Sequence, residues 1–278
     1  LLRGDDTTTR QALRDEGLSD AAIARFLGPL FAGIQLDPEL EVSAKRFRII
    51  LRMLATGDAA VPARGLGEIP AQLAARFPEG TIRLGARVER VTEQGVAVAG
   101  GDEVRAPVVV VAAEGPEAAR LLPGAVDDPG SRAAACVYLA APAPPLPGPV
   151  LALDGDASGP VKNLAVMSEV APTYAPRGTA LIAAAVPGPA ALVPDLVSRV
   201  RAQLRGWFPD ADGWEEVATR VIPHGHPDQR PGFCPRRPVR VGPRRYVAGD
   251  HRDTASIQGA LFGGRRAADA IVADLRGD

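Results

Sequence analysis

Apolar and polar positions alternate with different periods along this chain, and the period changes near residue 60. Residues 7–57 read as amphipathic helices. The stretch TTTRQALRDEG opens on threonines and stops at Gly17, and Ser19 is placed to cap a second helix running through DAAIARFLGPLF. Ser43 precedes a third helix in which Phe47, Ile50, Leu51 and Leu54 share one face, and Gly57 ends it. That spacing predicts helices whose apolar faces are covered. A short helix with Pro70 in its first turn follows and ends near Phe77.

From there the period falls to two. TIRLG, RVERVTE, VAVAG, EVRA and VVVVAA read as successive strands, with Gln94-Gly95 and Gly100-Gly101 as hairpin turns. Val108–Val111 is an unbroken β-branched run, which predicts a strand buried on both faces. Beyond Ala113 the chain is proline-rich, and APAPPLPGP (141–149) predicts a stiff extended connection between strands such as AACVYLA, VLALD and ALIAAAV. ALVPDLVSRVRAQLRGWF predicts a helix, VIPHGHPDQRPGFCPRRP an irregular stretch, and RYVAGD a strand before a long closing helix. No internal repeat is evident.

Composition narrows the function classes. With 278 residues the chain can bury a sizeable core. A net charge of −1 gives no global field for nucleic acid or acidic lipid. All but two of the 32 basic residues are arginines, a bias that G+C-rich coding explains. Cys136 and Cys234 are far apart and form no CxxC, so neither a disulfide framework nor a zinc site follows, and a reducing, cytoplasmic location is the expectation. No apolar run reaches the roughly 18 residues of a membrane span, and LLRGDDTTTR lacks the apolar core of a signal peptide.

Few motifs carry chemistry. GxSxG, HExxH and Walker A patterns are absent, so hydrolysis is not supported. GLGEIP (65–70) approaches GxGxxG, but its third glycine is Pro70 and AVPAR is a poor strand to precede it. His224, His226 and Asp228 alternate, yet Gly225 and Pro227 favour a surface loop over a metal site. Arg236-Arg237, Arg244-Arg245 and Arg265-Arg266 could meet phosphates, but solvated pairs are the favoured reading. The closing segment is more informative. Gly249-Asp250 ends a strand with a carboxylate where it can accept hydrogen bonds from sugar-like hydroxyls. Thr254 or Ser256 can cap the next helix, whose first N–H groups suit an anionic edge. Along that helix Gly259, Gly263 and Ala267 form one stripe and Ala260, Gly264 and Ala268 the next. Helical glycine costs about 1 kcal/mol relative to alanine, so close approach of a cofactor or of another helix is needed to explain them.

YVAGDHRDTASIQGALFGGRRAADAI resembles the C-terminal flavin-binding segment of the FAD-dependent amine oxidase, phytoene desaturase and protoporphyrinogen oxidase superfamily. The matching residues are Gly249, Asp250, Gly259, Ala260, Gly264 and Arg265. PARGLGEIPAQLAARF, IRLGARVERV and APVVVVAAEGPEAARLLPG resemble further family segments in the same order, and LGPLFAGIQLDPELEVSA resembles a substrate-domain segment of the desaturase-like members. The resemblance implies a mixed α/β (α+β) fold. A FAD/NAD(P)-binding-like remainder (61–113 and 236–278) would interleave with an antiparallel-sheet-plus-helices substrate domain (1–60, helical, and 114–235, sheet).

It also implies that Asp250 binds the ribityl or pyrophosphate region of FAD, with Gly249 beside it. N–H groups near Ser256 and Ile257 would face the flavin's pyrimidine edge over Gly259 and Ala260. Val88 would contact adenine through its backbone, Gly65 and Gly67 would lie near the isoalloxazine, and His251 is a candidate to face the flavin. The implied activity is hydride transfer from an apolar or amine small molecule to flavin, with no catalytic acid or base assigned. The family's entering strand, GxGxxG turn and helix have no counterpart in this sequence. Either a longer chain carries them upstream of this sequence, or a separate N-terminal flavin-binding polypeptide supplies them as a partner. The alternative is a non-catalytic binding or partner subunit that keeps the fold without the flavin.

Overall fold

The computed structural model describes residues 6–277, which fall into two compact units. Unit 1 is Leu1–Arg76 with Arg132–Gly225, and unit 2 is Phe77–Ser131 with His226–Asp278. The sequence places its breaks at 60/61, 113/114 and 235/236 instead. Two local causes set the observed positions. In unit 1 the Tyr174 hydroxyl donates to the Pro62 carbonyl at 2.7 Å and Thr173 donates to that of Ala63, which tethers the segment after residue 60. In unit 2 Ala118, Leu121, Leu122 and Val126 share a core with Val109 and Val111, so the chain after residue 113 stays with the strand before it.

The helices of unit 1 are α1 (Thr9–Asp15), α2 (Asp20–Ala22), α3 (Gly28–Gln35), α4 (Ala44–Thr56) and α5 (Glu68–Ala74). A π-helical turn at Ile23–Leu27 joins α2 to α3. The caps fall where the sequence places them. Thr8 accepts from the Gln11 N–H, Ser19 from that of Ala22 and Ser43 from that of Lys45. Leu13, Ile23, Phe31, Leu40 and Phe47 make the helical core, with the Phe31 and Phe47 rings edge-to-face at 4.6 Å. Helix α4 corrects one expectation. Phe47 is buried, but Leu51 and Leu54 on the same face are exposed, together with Met53, because the helical core reaches only its first half.

The larger sheet of unit 1 has the order β6-β7-β8-β5-β9. Its strands are β5 (Ser131–Ala141), β6 (Leu151–Leu153), β7 (Asn163–Val166), β8 (Ala180–Pro187) and β9 (Glu215–Pro227), with α7 (Met167–Val170) after β7. The pairs β6–β7, β7–β8 and β8–β5 are antiparallel. Alternate residues of β5 and β8, including Val137, Leu139, Ile182 and Ala184, pack under Leu196, Val200 and Leu204 of α8 (Leu196–Trp207). Strand β9 corrects a second expectation. His224 and Gly225 lie within a regular strand rather than a loop, because the edge of β5 supplies a partner the sequence does not reveal. Among the described residues no His, Cys, Asp and Glu cluster is able to hold a metal ion.

Unit 2 contains a meander, β1 (Val88–Thr92), β2 (Gly95–Val98) and β3 (Glu103–Arg105), turned at the two predicted hairpins. TIRLG forms bends and turns instead of a strand. A second sheet has the order β10-β11-β4, built from β4 (Val109–Val111), β10 (Arg240–Gly242) and β11 (Arg245–Val247). β4 and β11 run parallel, with Tyr246 opposite Val110. Helices α6 (Gly115–Leu121) and α9 (Ile257–Arg276) complete the unit. The valine run is not covered on both faces: Val109 and Val111 are buried, while Val110 is 41% exposed. β4 is an edge strand, with a core on one face only. No helix among the described residues is long and apolar enough to cross a membrane.

One buried ion pair organises unit 1. The Asp37 carboxylate, just after α3, accepts from the Val42 N–H at 2.7 Å and meets the Arg132 guanidinium of β5 at 2.8 Å, with both side chains largely dry. Asp37→Ala leaves the guanidinium buried beside an unpaired N–H. We expect a loss of about 3–5 kcal/mol in urea denaturation, well beyond a surface-pair mutant such as Asp195→Ala.

Candidate cofactor site

The site grows from the end of β11. Tyr246 and Val247 are buried, and the Ala248 N–H donates to the Val111 carbonyl at 2.9 Å, extending the parallel pairing by one step. The chain then turns at Gly249, whose φ of +149° is open to glycine alone. A side chain there would meet the His251 ring at 2.6 Å. Residues 250–252 form a 3₁₀ turn.

The loop that follows is tied down by hydrogen bonds to its backbone. The Gln229 amide donates to the Asp253 carbonyl at 2.8 Å and accepts from the Ala255 N–H at 3.1 Å. Arg252 donates to the Pro238 carbonyl. Arg266 donates to the carbonyls of Arg237 and Arg252 and pairs with Asp253 at 3.3 Å. This corrects the solvated reading for Arg266, because its guanidinium closes the loop.

Ser256 is the N-cap of α9, its Oγ accepting from the Gly259 N–H at 2.9 Å. The N–H groups of Ile257 and Gln258 have no acceptor among the described residues, and both residues are exposed. They form the positive end of a 20-residue helix.

The two small-residue stripes divide the readings left open by the sequence. Gly259, Gly263 and Ala267 are buried. A Cβ on Gly259 would fall 1.9 Å from the Thr254 carbonyl oxygen, and one on Gly263 2.9 Å from that of Gly249. This stripe serves packing, but against the backbone of Gly249 and Thr254 rather than against another helix. Ala260, Gly264 and Ala268 face outward, and a Cβ on Gly264 meets nothing within 4 Å. The open stripe and the two free N–H groups fit a flat, anion-edged group, so the residues of α9 suit one side of a flavin.

The predicted site residues fall in two places. Gly249, Asp250, Ser256, Ile257, Gly259 and Ala260 gather at this one corner of unit 2. Val88 lies in the same unit on β1, and its carbonyl accepts from Arg120 at 3.2 Å. Gly65 and Gly67 belong to unit 1, where Gly65 has a φ of +100° and Gly67 caps α5. No strand precedes GLGEIP, so it is not a dinucleotide fingerprint.

Sequence reasoning missed Gln229 and Arg252, because single polar residues in an irregular stretch carry no period, and it named Arg237 only within a pair favoured as solvated. It named His251 but not its surroundings. That imidazole is 3% exposed, and neither ring nitrogen has a partner among the described residues. Burial first, then the charges of Arg252 and Arg237, push its pKa down to about 4. In unit 1 the second face of the large sheet carries Ala134, Cys136, Tyr138, Ala183 and Ala185, half-buried. Burial raises the Cys136 thiol to about 11 and the Tyr138 hydroxyl to about 12, so both stay neutral at physiological pH.

Several solved structures share this fold. Reduced UDP-galactopyranose mutase superposes with a TM-score of 0.67 at 12% identity, covering 98% of this chain and 69% of that one. A putative protoporphyrinogen oxidase from Exiguobacterium sp. 255-15 gives 0.68 at 16%, covering 98% and 68%. Wild-type putrescine oxidase bound to putrescine gives 0.64 at 16%, covering 96% and 68%. No curated protein matches by sequence. The sequence profile of the flavin containing amine oxidoreductases matches residues 1–272, and the chain belongs to that family.

Two outcomes follow. Gly263→Ala forces a Cβ onto the Gly249 backbone and is expected to cost about 1–3 kcal/mol, while Gly264→Ala gains up to about 1 kcal/mol from helix propensity, as thermal melts of the pair will read. His251 has a folded pKa near 4 against an ordinary 6.5, so the unfolded chain takes up the proton first as pH falls. Its contribution is present above pH 6.5 and is lost progressively between pH 6.5 and 4, by about 3 kcal/mol in the limit. Urea midpoints measured across that range fall for the wild type and fall less steeply for His251→Leu.

Proposed function

We propose that the chain holds FAD at the Gly249–Asp250 corner and acts as an oxidoreductase that transfers a hydride from an apolar or amine small molecule to the flavin. The observation that carries this reading is the open first turn of α9 beside that corner. When bound, the flavin supplies the hydride-accepting chemistry. The chain supplies binding and orientation. The Asp250 carboxylate accepts from ribityl hydroxyls or lies against the pyrophosphate. The Ile257 and Gln258 N–H groups donate to the pyrimidine edge, where the helix dipole favours negative charge. Ala260 and Gly264 keep that approach free of side chains. Val88 borders the adenine through its backbone, whose carbonyl also accepts from Arg120.

In this reading unit 2 is the flavin-binding part and unit 1 the substrate part. The half-buried sheet face with neutral Cys136 and Tyr138 supports an apolar substrate region without a general acid or base. A second requirement is favoured by β4, whose edge away from β11 is unpaired among the described residues. A separate polypeptide with a strand, a glycine-rich turn and a helix would pair with that edge and cover the pyrophosphate.

Equilibrium dialysis against FAD tests the reading, with the chain alone and with a polypeptide carrying such a strand, GxGxxG turn and helix. We expect yellow protein in at least one condition. Asp250→Ala should weaken retention about tenfold or more (~1.4 kcal/mol). Gly264→Leu should weaken it similarly without lowering the melting temperature. Protein that stays colourless in both conditions overturns the enzyme reading in favour of a fold kept for binding alone.

A further inference from the structure

A cavity of ≈ 170 Å³ opens within unit 2 beside the candidate cofactor corner, lined by Asp228, Gln229, Arg230, Cys234, Arg237 and His251 among others. Most of its polar lining is committed. Arg230 donates to the Asp228 carboxylate at 2.9 Å, and both polar ends of the Gln229 amide are bonded to backbone. Arg252, close behind, donates to the Pro238 carbonyl. Two groups remain. Among the described residues the Arg237 guanidinium has no carboxylate partner, and the imidazole of His251 is buried with both ring nitrogens unpartnered. A buried polar group left without a hydrogen bond costs about 1–3 kcal/mol, so such a group calls for an occupant.

The chemistry of the lining selects among occupants. The volume corresponds to about five or six waters, which admits a phosphate or carboxylate group and excludes a nucleotide. The unbalanced guanidinium disfavours a cation, and the described residues contain no cluster able to hold a metal. A water would satisfy the imidazole and leave the positive charge of Arg237 unbalanced. An oxyanion answers both, accepting from the imidazole N–H and from the guanidinium.

We propose that the cavity beside His251 is an oxyanion subsite, taking one phosphate or carboxylate group between Arg237 and His251. The inference stands on unit 2 alone and does not require that FAD bind. Around the imidazole, Arg230, Arg237 and Arg252 contribute positive charge, Asp228 and the nearby Asp127 negative charge, and Cys234 a thiol. Burial and the nearby cations together keep the imidazole neutral, and an anion in the cavity offsets the cations, so occupancy raises its pKa.

Inorganic phosphate is the probe, titrated into the full chain without flavin. Line broadening in the ³¹P spectrum reports binding, and the ring ¹⁵N shifts of His251 report its titration. We expect saturable millimolar binding and an upward move of the His251 midpoint. Arg237→Gln should weaken binding about tenfold or more with the melting temperature kept, and Arg237→Lys should retain part of it. Absence of saturable broadening, or equal affinity in Arg237→Gln, overturns the subsite. Repeating the titration with FAD separates two sources of the same chemistry. Displacement of phosphate assigns the subsite to the cofactor's diphosphate, and simultaneous binding assigns it to an acidic group of the substrate.

Discussion

The close approach of helix α9 to the backbone at Gly249 is the contact on which the rest of unit 2 depends. Neither Gly263 nor Gly249 tolerates a Cβ there, one for lack of space and the other also for its backbone conformation. The helix thereby lies against the end of β11, and its first turn comes to the edge of the Gly249–Asp250 corner. Its far end is fixed independently, since the Tyr246 hydroxyl bonds to Asp274 and Arg240 pairs with the same carboxylate. The glycines weaken the helix as an isolated element, at about 1 kcal/mol each, and the packing they permit offsets that cost.

Arginine does much of the work that regular structure does elsewhere. Arg120 bonds the carbonyls of Val88 and Glu89, Arg245 that of Glu93, Arg252 that of Pro238, and Arg266 those of Arg237 and Arg252. Each guanidinium offers several donors in a rigid plane, so one side chain can bond two carbonyls at once. The coding bias that fills the chain with arginine thus has a structural use in unit 2. It also leaves positive charge around the single buried imidazole, and that excess gives the cavity its selectivity.

Unit 1 has a different character. Its large sheet buries one face under α8, and the other face presents alanines, a thiol and a phenol that remain neutral. Burial holds that thiol and that phenol well above neutrality. That suits a reaction in which the redox chemistry resides in a flavin and the protein provides shape and orientation. Family membership and this division of polarity agree, each on separate grounds.

The sequence by itself determined the local decisions. The caps at Thr8, Ser19, Ser43 and Ser256, the hairpins at Gly95 and at Gly100-Gly101, and the strand that ends at Gly249-Asp250 all depend on residues within a few positions of one another. The same locality made the closing motif recognisable as a flavin-binding segment. What depends on distant partners stayed hidden. Val110 is exposed because β4 is an edge, Leu51 and Leu54 because the helical core stops short of them, and His224 is in a strand because β5 runs beside it. Only the tertiary structure divided the two glycine stripes of α9, since a missing side chain reads the same in sequence whether backbone or open space lies opposite. For the same reason His251, one polar residue in a short loop, became a buried group facing a cavity only once Gln229, Arg237 and Arg252 had been brought around it.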